Sequence, residues 1–124
     1  MSNIKLDTDS GQVLWRNVEK HFGILGDLAK KQGFDVNVFI FPDFGKNDEG
    51  IVAGWENYSY AKEHEIIKDL ADKNNLHHYD LYGLFRECRK ESSKNVSWDR
   101  YHPNTRGNEC AGRKMAEYLS VNGF

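Results

Sequence analysis

Scarcity says a good deal about this chain of 124 residues. Only two cysteines are present, Cys88 and Cys110. That is far below the count of a disulfide-stapled scaffold, and although one bridge would fit it, the pair reads as two ordinary thiols. Proline is equally rare, at Pro42 and Pro103 alone. No repeat, low-complexity tract or Pro/Gly/Ser linker interrupts the chain, so residues 1–124 read as one domain. No apolar run approaches the roughly 18–20 residues of a membrane-spanning helix, and the polar start lacks a basic-then-apolar signal pattern. The expectation is a chain without a membrane span, cytoplasmic as written. Charge of one sign is lacking too: 17 basic residues face 19 acidic ones, for a net charge of −2. Such a balance creates no field for phosphate backbones or anionic lipid, which argues against nucleic acid as a partner.

Leu, Ile, Val and Phe supply 29 of the 124 residues, only a little above the level at which chains fail to bury a core. The 13% aromatic content compensates, because these side chains bury the most area per residue. A folded domain with a polar surface follows.

Periodicity divides the chain. Leu14, Val18, Phe22, Leu25 and Ala29 recur at helical steps, which predicts a helix from about Val13 to Lys31 that Gly33 stops. The almost continuously apolar run from Val36 to Phe41 reads as a strand buried on both faces. Residues 43–57, with Gly45, Asn47, Asp48 and Gly50, read as a loop at that strand's C-terminal end. Helical spacing returns over Tyr58–Asn74, and Leu76–Leu81 forms a second strand pattern. A short helix around Leu84–Lys90, a polar loop and a closing helix from about Thr105 to Val121 complete the chain, with Asn104 suited to cap the last helix. The alternation predicts an α/β fold with a parallel sheet. Two strands are few for such a sheet.

The densest chemistry lies in Trp98-Asp99-Arg100-Tyr101-His102-Pro103-Asn104. A hydroxyl nucleophile needs a general base, and that base needs a carboxylate on its other ring nitrogen to fix its tautomer. His102 and Asp99 match those roles, and Pro103 keeps His102 on extended backbone. The string Asp99 to Asn104, followed by Gly107 and an amphipathic helix, resembles the last conserved block of SGNH (GDSL-type) hydrolases. The order of strand, loop, helix and strand before it is similar to the C-terminal half of that family. The resemblance implies a flavodoxin-like three-layer α/β/α sandwich, an Asp99–His102 catalytic pair and hydrolysis of acyl or acetyl esters by a Ser-His-Asp mechanism. It also implies a small-molecule ester substrate, no cofactor and no metal.

The chain departs from the family in lacking a strand that ends in Gly-Asp-Ser. Thr8-Asp9-Ser10-Gly11 is its nearest string, and Ser10 reads as a helix cap or turn residue. Gly45-Lys46-Asn47-Asp48 spells the family's Gly-x-Asn-Asp block but stands one strand too late, so Asn47 reads first as a turn residue and second as an oxyanion donor. The expectation is therefore the C-terminal portion of such a hydrolase, incomplete in its sheet, without its nucleophile block and prone to self-association. The alternative is a noncatalytic α/β interaction or ligand-binding module.

Other residues carry plainer readings. His77 and His78, adjacent on a strand, point to opposite faces and cannot readily share a metal. His64 and Glu65 read as a charged helix face, and Asp80 as a turn residue. Trp55, Tyr58 and Tyr60 either pack on the core or line a pocket for an acyl chain or a sugar. Arg100 and Tyr101, between Asp99 and His102, are candidates to contact a substrate carboxylate or ring, a choice that the sequence does not decide.

Overall fold

The computed structural model describes residues 9–123, with side chains from Gly11 onward. Five helices and two strands alternate: α1 (Asp9–Gln32), β1 (Asn37–Ile40), α2 (Glu49–Val52), α3 (Ala61–Lys73), β2 (His77–Asp80), α4 (Tyr82–Ser92) and α5 (Thr105–Val121). The architecture is mixed α/β, mostly helical, with a two-stranded parallel sheet of β1 and β2. Residues 43–57 are more ordered than a loop: 3-10 turns at Lys46–Asp48 and Trp55–Asn57 flank the single turn of α2. Ser10 lies within α1, and its side chain is outside the described residues.

These residues fall into two compact units. The first joins the chain up to Ile40 with Lys62–Tyr79. It buries Ala29, Ile40, Leu70, Ala71 and Leu76, while Phe39 stacks on Tyr79 at 5.0 Å. Its helix α1 is less covered than its apolar stripe implies: Val18, Phe22 and Leu25 are half-buried, and Leu14 is exposed. Val13, Ile24, Leu28 and Phe34 are exposed as well. His77 stands within 3.8 Å of Asp35, and His78 lies 2.8 Å from Asp72 Oδ1. His64 corrects the expectation of a solvated face, because it is only 4% exposed. Glu65 does face solvent and pairs with Lys68 at 3.0 Å.

The second unit, Phe41–Ala61 with the chain from Asp80 onward, holds the denser core. Phe44, Ile51, Leu81, Leu84, Phe85 and Val96 are fully buried there, and Phe44 meets Phe85 edge to face at 5.0 Å. Trp55, Tyr58 and Tyr82 cluster with ring centroids 4.7–5.6 Å apart. The cysteines overturn the two-thiol expectation. Cys88 of α4 and Cys110 of α5 form a disulfide across 6.0 Å of Cα separation. The helical spacing of each segment puts its cysteine on the inner face, a pairing that sequence separation alone cannot reveal. Lys114 reinforces the same helix pair, reaching Glu91 at 3.1 Å and Glu87 at 3.3 Å.

No helix among the described residues is long and apolar enough to cross a membrane.

Candidate functional site

The site begins with a tight loop. Ser97 and Pro103 form an isolated antiparallel bridge, Trp98 N–H donates to His102 O at 2.8 Å, and Asn104 N–H donates to Val96 O at 2.9 Å. Residues 98–102 are therefore held as a closed excursion before α5. Asn104 then caps that helix as expected, its Oδ1 accepting from Gly107 N at 2.9 Å while its Nδ2 donates to Asn95 O at 2.8 Å. A Cβ at position 107 would run into the carbonyl oxygen of Val96, so only glycine permits α5 to start this close to the loop.

Within the excursion, Asp99 works in two directions. Its Oδ1 accepts from the backbone N–H of Tyr101 at 2.8 Å and of His102 at 3.0 Å, a local turn that aims the carboxylate. Both of its oxygens lie against His102 Nδ1, at 2.8 and 2.9 Å. The Tyr101 N–H first, and the His102 ring second, hold the Asp99 carboxyl below the usual aspartate range. The pair is solvent-exposed, and His102 Nε2 has no hydrogen-bond partner among the described residues. Geometry thus gives His102 an oriented ring with one free nitrogen, as a general base requires.

Asp48, read from the sequence as a turn former and as the last residue of the Gly45–Asp48 string, proves to be the loop's anchor. Its side chain is fully buried. It accepts from Val96 N at 2.8 Å, takes a short hydrogen bond from Ser97 Oγ, and lies 3.3 Å from Arg89 Nε. Asn47 and Asp48 both adopt left-handed backbone, at φ 53° and 64°, which Asn and Asp tolerate best among residues other than glycine. That consecutive reversal turns Asp48 inward and leaves Asn47 exposed.

A second tie comes from Asp43. Phe44 N–H donates to Arg100 O at 2.8 Å, and Arg100 Nε donates to Asp43 Oδ1 at 3.0 Å. This carboxylate raises the Arg100 guanidinium above its ordinary value. Arg100 is accordingly engaged with the protein. Asp43 N–H in turn donates to Tyr58 Oη at 2.7 Å, and burial pushes the Tyr58 phenol upward.

These ties assemble an open depression of about 590 Å³. Its walls include Asn47, Tyr58, Tyr60, Trp98, Asp99 and Arg100, so the Gly45–Asp48 turn and the Asp99 loop face one space. His102 itself stands outside that lining. Trp55 packs on Tyr58 and Tyr82 instead of lining the depression, whereas Tyr58 and Tyr60 do line it. Asp80 serves the turn into α4, its Oδ1 accepting from Tyr82 N at 3.0 Å. Among the described residues no group of three His, Cys, Asp or Glu side chains is placed to hold a metal ion.

No protein-family model, curated protein or solved structure matches the chain.

Proposed function

We propose that this chain carries the acid–base part of an SGNH-type ester hydrolase site, with His102 as general base and Asp99 as the carboxylate that orients it. The observation that carries this reading is the contact of both Asp99 oxygens with His102 Nδ1, in a loop whose backbone independently aims the carboxylate. Such a pair fixes the tautomer with the lone pair on Nε2 and stabilises the imidazolium once Nε2 has taken a proton from a serine hydroxyl. Asn47 adds support: its side-chain amide has no protein partner among the described residues and borders the same depression as Asp99, where an oxyanion donor is useful. The strand order, β1 beside β2 in parallel, is compatible with the flavodoxin-like three-layer sandwich of that family, with additional strands completing the sheet. The substrate in this reading is a small carboxylic ester.

One observation favours a noncatalytic ligand-binding module as the second reading: no serine hydroxyl among the described residues bonds to His102. Ser97 Oγ, the nearest in sequence, is committed to Asp48. Hydrolysis of p-nitrophenyl acetate by the complete translation product of the gene, with fluorophosphonate labelling of its serines, separates the two. The hydrolase reading expects turnover that falls roughly 10⁶-fold in His102→Ala. No turnover and no labelled serine would leave the binding module standing.

A further inference from the structure

The depression beside Asp99 has a narrow chemistry for its size. No Ala, Val, Leu, Ile or Met stands on its walls, and its aromatic residues are Tyr58, Tyr60 and Trp98. An acyl chain prefers an enclosed aliphatic slot, and this space is open. Charge argues against anions. Asp43, Glu49 and Asp99 outnumber Lys46 and Arg100 on the walls, and the Arg100 guanidinium already donates to Asp43 at 3.0 Å. A phosphate or carboxylate ligand would meet more repulsion than attraction.

What remains unused by the protein is a stacking face and neutral hydrogen-bonding groups. Trp98 is 76% exposed and packs on no other ring among the described residues, yet its backbone is tethered through Trp98 N–H to His102 O and through Ser97 to Asp48. An indole left uncovered on a loop whose backbone is already fixed by these bonds is a partly preorganised platform, with only side-chain rotation left to lose when a ligand arrives. Around it, Asn47 and Ser59 line the same space, and neither side chain has a hydrogen-bond partner among the described residues. Flat aromatic surface flanked by neutral donors and acceptors matches a sugar ring, with its apolar C–H face and equatorial hydroxyls. At about 590 Å³ the space falls within the range of small-molecule sites.

We propose that this depression binds a neutral carbohydrate, stacked on Trp98 and hydrogen-bonded by Asn47 and Ser59. This names the substrate class of the site proposed above; it rests on that reading for the chemistry and not for the binding.

The test is direct titration of the chain with cellohexaose, xylohexaose, mannohexaose and chitohexaose, followed by tryptophan fluorescence. Laurate, inorganic phosphate and adenosine serve as the acyl, anionic and flat heterocyclic comparisons. The inference expects at least one hexasaccharide to bind. It also expects Trp98→Ala to weaken that binding about tenfold, a loss that isothermal calorimetry reads after the fluorophore is gone. Asn47→Gly, which keeps the left-handed backbone while removing the amide, should weaken it as well. Failure of all four sugars to bind, or tighter binding of laurate, phosphate or adenosine, overturns the inference, as does a Trp98→Ala variant with unchanged affinity. Sugar binding without ester hydrolysis would sink only the hydrolase reading. Hydrolysis of p-nitrophenyl acetate without sugar binding would sink only this inference.

Discussion

Asp48 and Asp99 are both loop aspartates, yet they do opposite work. Asp48 is buried and accepts from Val96 N and Ser97 Oγ with Arg89 alongside, so its removal strands two donors and a partly buried cation. Asp48→Ala should cost roughly 2–4 kcal/mol of stability, read as a lower urea midpoint at unchanged slope. Asp99 is exposed and holds its charge through the Tyr101 N–H and the His102 ring. Its folded-state value lies below its unfolded one, so the loop stabilisation it provides is present above the ordinary aspartate value and disappears as pH falls through the lowered one. A carboxyl ¹³C titration should therefore give an Asp99 midpoint below 3.8, and one at or above that value would contradict the hydrogen-bond assignment. Asp99 and His102 were legible because three residues of spacing suffice to bring them together. Asp48 was not, because its partners stand 48 and 49 positions away.

The elements were the most legible layer. The final helix spans Thr105–Val121 with Asn104 as its cap, as the sequence indicates, because capping and helical periodicity are local properties. The stretch 43–57 was less legible: its turn formers mark reversal, but they do not distinguish an open loop from successive 3-10 and α turns. The α4–α5 pairing was hidden altogether. Its disulfide closes a separation of 22 residues that contains the whole Asp99–His102 loop. Replacing both cysteines by serine should lower stability by about 3 kcal/mol, measured by thermal or urea unfolding against the oxidised chain. Dithiothreitol should shift the oxidised chain the same way and leave the double variant unmoved. The bridge also bears on the cytoplasmic expectation, since structural disulfides persist in oxidising compartments and are rare in reducing ones.

For the molecule as a whole, the uneven distribution of buried apolar surface is the main physical fact. The second unit buries Phe44, Ile51, Leu81, Leu84 and Phe85 completely, whereas α1 of the first leaves Val13, Leu14, Ile24 and Leu28 exposed. Apolar surface gathered on one helix favours association. Sedimentation velocity over a hundredfold concentration range should show a rising mean mass, which Leu14→Lys with Leu28→Lys suppresses; a concentration-independent monomer would count against it.

Taken by itself, the sequence determined where the long helices and the two strands of the described residues lie, and that Asp99 and His102 form a pair. Those follow from periodicity, capping and short spacing, which act within a few residues. Only the tertiary structure decided that Asp48 anchors the loop, that Cys88 meets Cys110, that His64 is buried and that Asn47 shares a depression with Asp99 and Trp98. Each of these depends on which faces the packed elements turn toward one another, and a face is settled by what covers it rather than by the residues that compose it.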